Sequence, residues 1–285
     1  MVSVTKAVLL VLLVIPTPVF ATDFWLPISA HNTGFGGSTW RTDLALYNPC
    51  DVTATVDIVA DSPDGEFSKS FEIPAGTQQN FEDILGQLTT VETTAALEIH
   101  GESELVVSSR TYNQSTSGTF GQGFDGIEEG SGIQQGSMVV LPQLKQNSAF
   151  RTNIGVLNMG ESILVAKVSL FDRLGLDTGN FNIIVNPGTT VLDTQSFKNR
   201  FGREDIVGGF AKVEILIGSD GWAFASVVDN TTSDPTTVVP RSVPICSTDI
   251  TTLLGEIEGL EFIEGTTQHS GYRFFELYFT PPLCH

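Results

Sequence analysis

Apolar and polar residues alternate with a period of two through most of the chain, the spacing of strands that bury one face. Thr42, Leu44, Leu46 and Asn48 fall on one side of such a run, with Asp43, Ala45 and Tyr47 on the other. Residues 52–60 place Val52, Ala54, Val56, Ile58 and Ala60 together, and residues 165–171 repeat the pattern. Residues 98–109 and 212–228 are rich in β-branched side chains and are interrupted at Gly101-Glu102 and at Gly218-Ser219-Asp220-Gly221. Gly, Asp and Pro punctuation every eight to twelve residues or so predicts a β-sandwich. The alternation fails over 81–88 and 196–201. Each follows a Gly-Thr turn, and each predicts one short helical turn crossing between sheets.

The strand pattern occurs twice. Trp40-Arg41-Thr42-Asp43-Leu44-Ala45-Leu46-Tyr47-Asn48 returns as Phe150-Arg151-Thr152-Asn153-Ile154-Gly155-Val156-Leu157-Asn158. Leu26-Pro27 matches Leu141-Pro142, and Ile73-Pro74-Ala75-Gly76-Thr77 matches Val185-Asn186-Pro187-Gly188-Thr189. Near the ends, residues 109–119 (SRTYNQSTSGT) match residues 226–236 (SVVDNTTSDPT). The matches keep their order, which indicates duplication with a few loop insertions. The fold class is therefore mainly β: two tandem Ig-like β-sandwich repeats, 22–125 and 138–243, plus a short C-terminal α-β-β segment, 244–285. Residues 126–137 between the repeats are read as a Gly-rich linker, within a polar stretch, 118–136, whose composition predicts early proteolytic nicking.

These motifs resemble a domain pair common in large secreted proteins of soil and marine bacteria, which share the WRTDL…N pattern, a P-x-G turn and a SRTYN or SVVDN element. The resemblance covers about 26–240. It implies a β-sandwich accessory module and brings no catalytic residues with it.

After Arg241 the pattern changes. Ile250, Leu253, Leu254 and Ile257 fall at helical spacing, Glu261–Glu264 suits a short strand, and Tyr272–Thr280 alternates as a long aromatic one. Leu254, Ile257, Gly259-Leu260, Glu264, Gly271-Tyr272-Arg273-Phe274-Phe275, Leu277, Pro282 and His285 resemble the entry to the catalytic domain of secreted prolyl tri- and tetrapeptidyl aminopeptidases, serine-peptidase family S37. Where that family reads Pro-Val-Asp-His and continues, this sequence reads Pro282-Leu283-Cys284-His285. The family's chemistry needs a nucleophile elbow, Gly-x-Ser-x-Gly, and the sequence contains none. The expectation is lineage without activity. Cys246 and Cys284 flank this segment and are a possible disulfide in an oxidising compartment.

The N-terminus predicts export. Lys6 precedes an unbroken apolar run, Ala7–Ile15, too short for a bilayer span of roughly 20 residues. Pro16 and Pro18 break it, and Val19-Phe20-Ala21 suits a signal-peptidase site, so cleavage is expected between Ala21 and Thr22. Lys and Arg number 14 against 33 Asp and Glu, a formal charge of −19. That sign excludes the basic face that nucleic acid or anionic lipid would need. The expected partner is another protein or a cell-surface polymer, with no membrane contact after signal removal.

Candidate chemistry is sparse. His31, His100, His269 and His285 have no metal-ligand spacing. Asp61-Ser62-Pro63-Asp64-Gly65-Glu66 groups carboxylates as a calcium loop would, but lacks the D-x-D-x-D-G spacing and reads as a hairpin turn. No cofactor is expected. Trp25, Trp40 and Trp222 are the aromatic residues a ligand-binding platform would use. Three functions are consistent with this reading: a secreted non-catalytic accessory or binding protein, the N-terminal portion of an S37-like aminopeptidase, and a carbohydrate- or surface-polymer-binding module.

Overall fold

A computed structural model of the chain describes residues 23–34, 37–116 and 118–243. The cleavage site at Ala21 and Thr22, the Cys246–Cys284 pair and the C-terminal segment lie outside the described residues. The described chain is mainly β, built from antiparallel sheets of the β-sandwich class. The first half comprises β1 (Asp23–Thr33), β2 (Thr39–Tyr47), β3 (Ala54–Ser62), β4 (Gly65–Ile73), β5 (Gln78–Phe81), α1 (Ile84–Leu88), β6 (Thr93–Gly101), β7 (Val106–Ser115), β8 (Gly118–Asp125) and β9 (Ile127–Glu128). The second half comprises β10 (Met138–Gln146), β11 (Phe150–Asn158), β12 (Leu164–Phe171), β13 (Asp177–Val185), β14 (Thr190–Asp193), α2 (Ser196–Phe201), β15 (Ile206–Ile217), β16 (Gly221–Asp229), β17 (Pro235–Val238) and β18 (Arg241–Ser242). The two helical turns stand where the alternation fails.

Strand order is the same in both halves. One layer runs β4-β3-β6-β1 with β9 on the β1 edge, and its counterpart runs β13-β12-β15-β10-β18. The facing layer runs β5-β2-β7-β8, and its counterpart β14-β11-β16-β17. In the first half β1 continues far enough to pair with β2 through His31–Thr33, which joins its layers into one nine-stranded sheet. Both β1 and β10 slip register at their proline, between Leu26 and Ser29 and between Leu141 and Leu144. Proline has no N–H to give the ladder, so a bulge is the accommodating geometry.

Alternation places the cores. Leu44, Leu46, Val56, Ile58 and Leu97 are buried in the first sandwich, and Ile154, Val156, Val168, Leu170 and Val213 in the second. Val52 precedes β3 and is exposed, so the buried row begins at Ala54. Asn48 and Asn158 hold equivalent corners. The Asn48 side-chain amide donates to the carbonyls of Val52 and Ile73, and that of Asn158 to those of Ser162 and Val185. Their side-chain oxygens accept from Cys50 and Gly160 N–H. A buried amide thereby satisfies carbonyls the ladders leave open.

Two features differ from the reading of the sequence. The polar stretch 118–136 is structured: residues 118–125 form β8, and 127–128 pair with β1. Gly130 and Gly132 N–H donate to Asp220, and Gly136 N–H to the Ile215 carbonyl. Composition missed this because the segment is held by long-range backbone bonds and by three scattered apolar side chains, Phe124, Ile127 and Ile133, each buried in a different cluster. The second difference is a register slip. Leu44 faces Ser109, whereas Ile154 faces Ala225. The equivalent of Ser109 is therefore Ala225, one residue from the Ser226 that letter matching selects. A slip of one moves every side chain of a strand to the opposite face.

That slip puts Trp222, Phe224 and Ser226 on the face of β16 turned away from its own core. Phe224 is 0% exposed and lies in the core of the first sandwich, edge-to-face with Phe124 at 5.2 Å. Its ring fills the space above Gly155, where an added Cβ would lie 2.2 Å from it. Ser226 Oγ donates to Gln122 Oε1 at 2.8 Å, and Thr190 Oγ1 to the Pro27 carbonyl at 2.6 Å. The two sandwiches thus share a packed seam within one compact unit.

Candidate functional site

The seam opens at one side into a cleft of 670 Å³. The corner from β8 to β9 supplies Gly123, Phe124, Asp125, Gly126, Ile127 and Glu128 as one wall. The equivalent corner from β17 to β18 supplies Val239, Pro240 and Arg241 as the other, with Trp222 and Ser131 between them. Gly126 lets the corner lie tight against β7, since a Cβ there would meet Val107 at 2.6 Å. The cleft therefore combines an indole, exposed carboxylates at Asp125 and Glu128, an exposed guanidinium at Arg241, and a glycine-rich backbone. A few polar groups around an aromatic surface is the usual composition of a ligand pocket.

The three tryptophans do not form one platform. Trp25 is buried, at 4% exposure, in an apolar cluster with Ala96, Ile127, Leu157 and Met159, and Trp222 packs against that cluster. The indole nitrogens of both are buried without a hydrogen-bond partner among the described residues. Trp40 sits apart, beside the turn after β1, with its Nε1 donating to Ser38 Oγ. Of the three, Trp222 alone lines the cleft.

A second polar cluster lies at the other edge of the first sandwich. Asp83 precedes α1 with φ 47°, and its backbone N–H donates to Asp43 Oδ1. The same Asp43 oxygen accepts from Tyr112 Oη. One Asp83 oxygen meets His31 Nδ1 at 2.7 Å and Arg41 Nε at 3.1 Å. Burial, then the charge of Asp43, pushes the Tyr112 phenol above its usual range. The corresponding positions of the second sandwich hold Gln146, Asn153, Gln195 and Val228. There Asn153 Oδ1 accepts from Gln195 N–H, so the turn is common to both halves; Arg151 keeps the guanidinium of Arg41, while the carboxylates, the histidine and the phenol belong to the first. Sequence spacing did not bring these residues together, because they arrive from four separate elements.

His31 lies in β1 and His100 in β6, while His269 and His285 lie outside the described residues. His100 approaches Asp23 at 3.3 Å and Glu98 at 3.4 Å. Burial lifts the Glu98 carboxyl above its usual range; His100 opposes that shift and Asp23 and Glu129 add to it. The Asp61–Glu66 stretch is a tight hairpin, with Ser62 facing Gly65 and Ser62 Oγ donating to the Gly65 carbonyl. Among the described residues no group of His, Cys, Asp and Glu is arranged to hold a metal ion. No described helix is long and apolar enough to cross a membrane.

No protein-family model matches the chain, and no curated protein does. Among solved structures it is similar to Thermotoga maritima 1070 at 15% identity, covering 38% of this chain and 93% of that one, with a TM-score of 0.33. It is also similar to β-glucuronidase 2 of Bacteroides uniformis, covalently bound to cyclophellitol-6-carboxylate aziridine, at 11% identity. That match covers 78% of this chain and 26% of that one, with a TM-score of 0.17. Likenesses this slight carry no inference about chemistry.

Proposed function

We propose that the chain is a secreted, non-catalytic binding module made by tandem duplication of a β-sandwich, and that it holds an uncharged polyhydroxylated surface polymer in the cleft at the seam. The observation that carries this reading is Trp222 lining that cleft between Asp125, Glu128 and Arg241. An indole face covers the apolar side of a sugar ring. Carboxylates accept from hydroxyls, and a guanidinium donates to them. Two carboxylates against one guanidinium disfavour an acidic polymer. Export is supported by the apolar run Ala7–Ile15 and by β1 beginning at Asp23, so that cleavage after Ala21 removes no described strand.

Affinity electrophoresis of the mature chain through gels containing xyloglucan, glucomannan or laminarin tests this reading, with polygalacturonate as the acidic comparison. At least one neutral polymer should retard the protein, and Arg241→Ala or Asp125→Asn should weaken retardation about tenfold, the worth of one good hydrogen bond to a charged group. Trp222→Ala should abolish it. No retardation by any neutral polymer, or retardation that none of the three variants changes, would overturn the assignment.

A further inference from the structure

The strand registers allow the seam to be mapped onto the outer ends of the pair. On the docking face of the second sandwich, Leu157 lies opposite Trp222 and Gly155 opposite Phe224. The equivalent positions of the first sandwich are Tyr47 opposite Val106 and Ala45 opposite Ser108. Nothing described covers them: Tyr47 is 38% and Val106 57% exposed. On the receiving face of the first sandwich, Trp25 lies opposite Ile127, beside Ala96. The equivalents in the second are Val140 opposite Arg241, beside Phe210. Phe210 is half-buried and stacks on Phe171 at 4.8 Å, with Lys212 Nζ over the Phe171 ring.

Among the described residues, each end of the pair thus keeps part of the seam's apolar surface without the partner that covers it inside. The ends also differ in charge. Asp43 and Asp125 flank the Tyr47–Val106 end beside Arg110, with Arg41 ion-paired to Asp83 further along the same row, whereas Lys212 and Arg241 flank the Val140–Phe210 end. Glu214, one row further along β15, lies opposite Lys167.

We infer that copies of this chain associate head to tail, the β2–β7 face of one copy packing on the β10–β15–β18 edge of the next as the second sandwich packs on the first. The occupant is a second copy because the interface continues one already built within the chain and because the two ends are complementary in charge. The contact is heterologous, so it leaves one free end of each kind and extends by addition. Ser108 stands where Phe224 plugs the internal seam, so the contact between copies lacks the buried ring and is the weaker of the two.

Sedimentation of the mature full chain at rising concentration tests this inference. Weight-average mass should climb beyond the monomer. Val106→Lys sets a cation against Lys212 and Arg241, and Lys212→Glu sets an anion against Asp43 and Asp125. Each alone should lower the association constant at least about tenfold, with far-ultraviolet circular dichroism and the melting transition unchanged. Mixing the two variants should restore association, because the intact face of one variant then meets the intact edge of the other. A chain that stays monomeric at every concentration would overturn the inference. So would association indifferent to both substitutions, or a mixture no more associated than its components. Polymer retardation by the cleft is read separately, so either result can fail without the other.

Discussion

Phe224→Ala perturbs the seam at its most enclosed point. The ring is fully buried among residues of the other sandwich, and Gly155 leaves no side chain to fill the vacancy. Truncating a buried phenylalanine costs about 3–5 kcal/mol through lost transfer and an unfilled cavity. The edge-to-face contact with Phe124 accounts for about 0.5–1.5 kcal/mol of interaction beyond area alone. A loss of about 4 kcal/mol is expected. For a chain of this size that is a fall of roughly 8–16 °C in Tm. The consequence for cooperativity is more diagnostic. The side chain belongs to the core of one sandwich and the backbone of the other, so its loss uncouples them. Scanning calorimetry of the mature chain should show one main transition for the two sandwiches, and the variant should show two. Phe224→Leu should retain the single transition at a cost of about 1–2 kcal/mol. A cost below about 1 kcal/mol for Phe224→Ala, or separate transitions in the unaltered chain, would refute the argument.

The seam and the corners yield further expectations. Gly155→Ala drives a Cβ into the Phe224 ring and should cost about 1–3 kcal/mol in urea unfolding, the opposite of the usual gain from replacing glycine in a strand. Asn158→Ala strips the Ser162 and Val185 carbonyls of their donor and should cost about 1–3 kcal/mol, against a few tenths for exposed Asn199→Ala. Limited chymotrypsin digestion should leave residues 118–136 uncut, because β8 and β9 are paired; early cleavage after Phe120 or Phe124 would contradict that pairing. The native state raises the Glu98 pKa above about 4.5, so it binds the proton more tightly than the unfolded chain does. The stability this contributes is present below the unfolded value and lost as pH rises through the raised one. Glu98→Gln should therefore match the unaltered chain near pH 4 and exceed it in urea midpoint at pH 7.

Much of the architecture is legible in the sequence because burial in a sandwich is a period-two property. Leu44, Leu46, Ile154 and Val156 announce their strands, and the breaks after Thr77 and Thr189 announce α1 and α2. The stretch 118–136 is not legible in this way. Its glycines are held by backbone donors whose acceptors, Asp220 and the Ile215 carbonyl, lie some eighty or ninety residues away. A composition that cannot build a core can still complete one.

The seam was hidden for a different reason. Ser109 and Ser226 begin segments whose letters agree, and the agreement suggests two equivalent strands with equivalent faces. The ladder disagrees by one residue. Ser109 points into its own sandwich and donates to the Phe124 carbonyl, while Ser226 points outward and donates to Gln122 across the seam. The same offset explains why Phe224 has no counterpart: its equivalent is exposed Ser108, and the small residue opposite it, Gly155, answers to Ala45. The two sandwiches share their strand order and their core-facing rows and differ on the outer row. Exchanging a serine for a phenylalanine on one row, and an alanine for a glycine beside it, turns that row into an interface without disturbing the core behind it. Trp222 belongs to that altered row, at the position that Val106 holds in the first sandwich. The cleft it lines is thus a product of the seam and exists in neither sandwich alone. A search for function repeat by repeat would pass over it, because the wall from Gly123 to Glu128 and the wall from Val239 to Arg241 are the same corner seen twice.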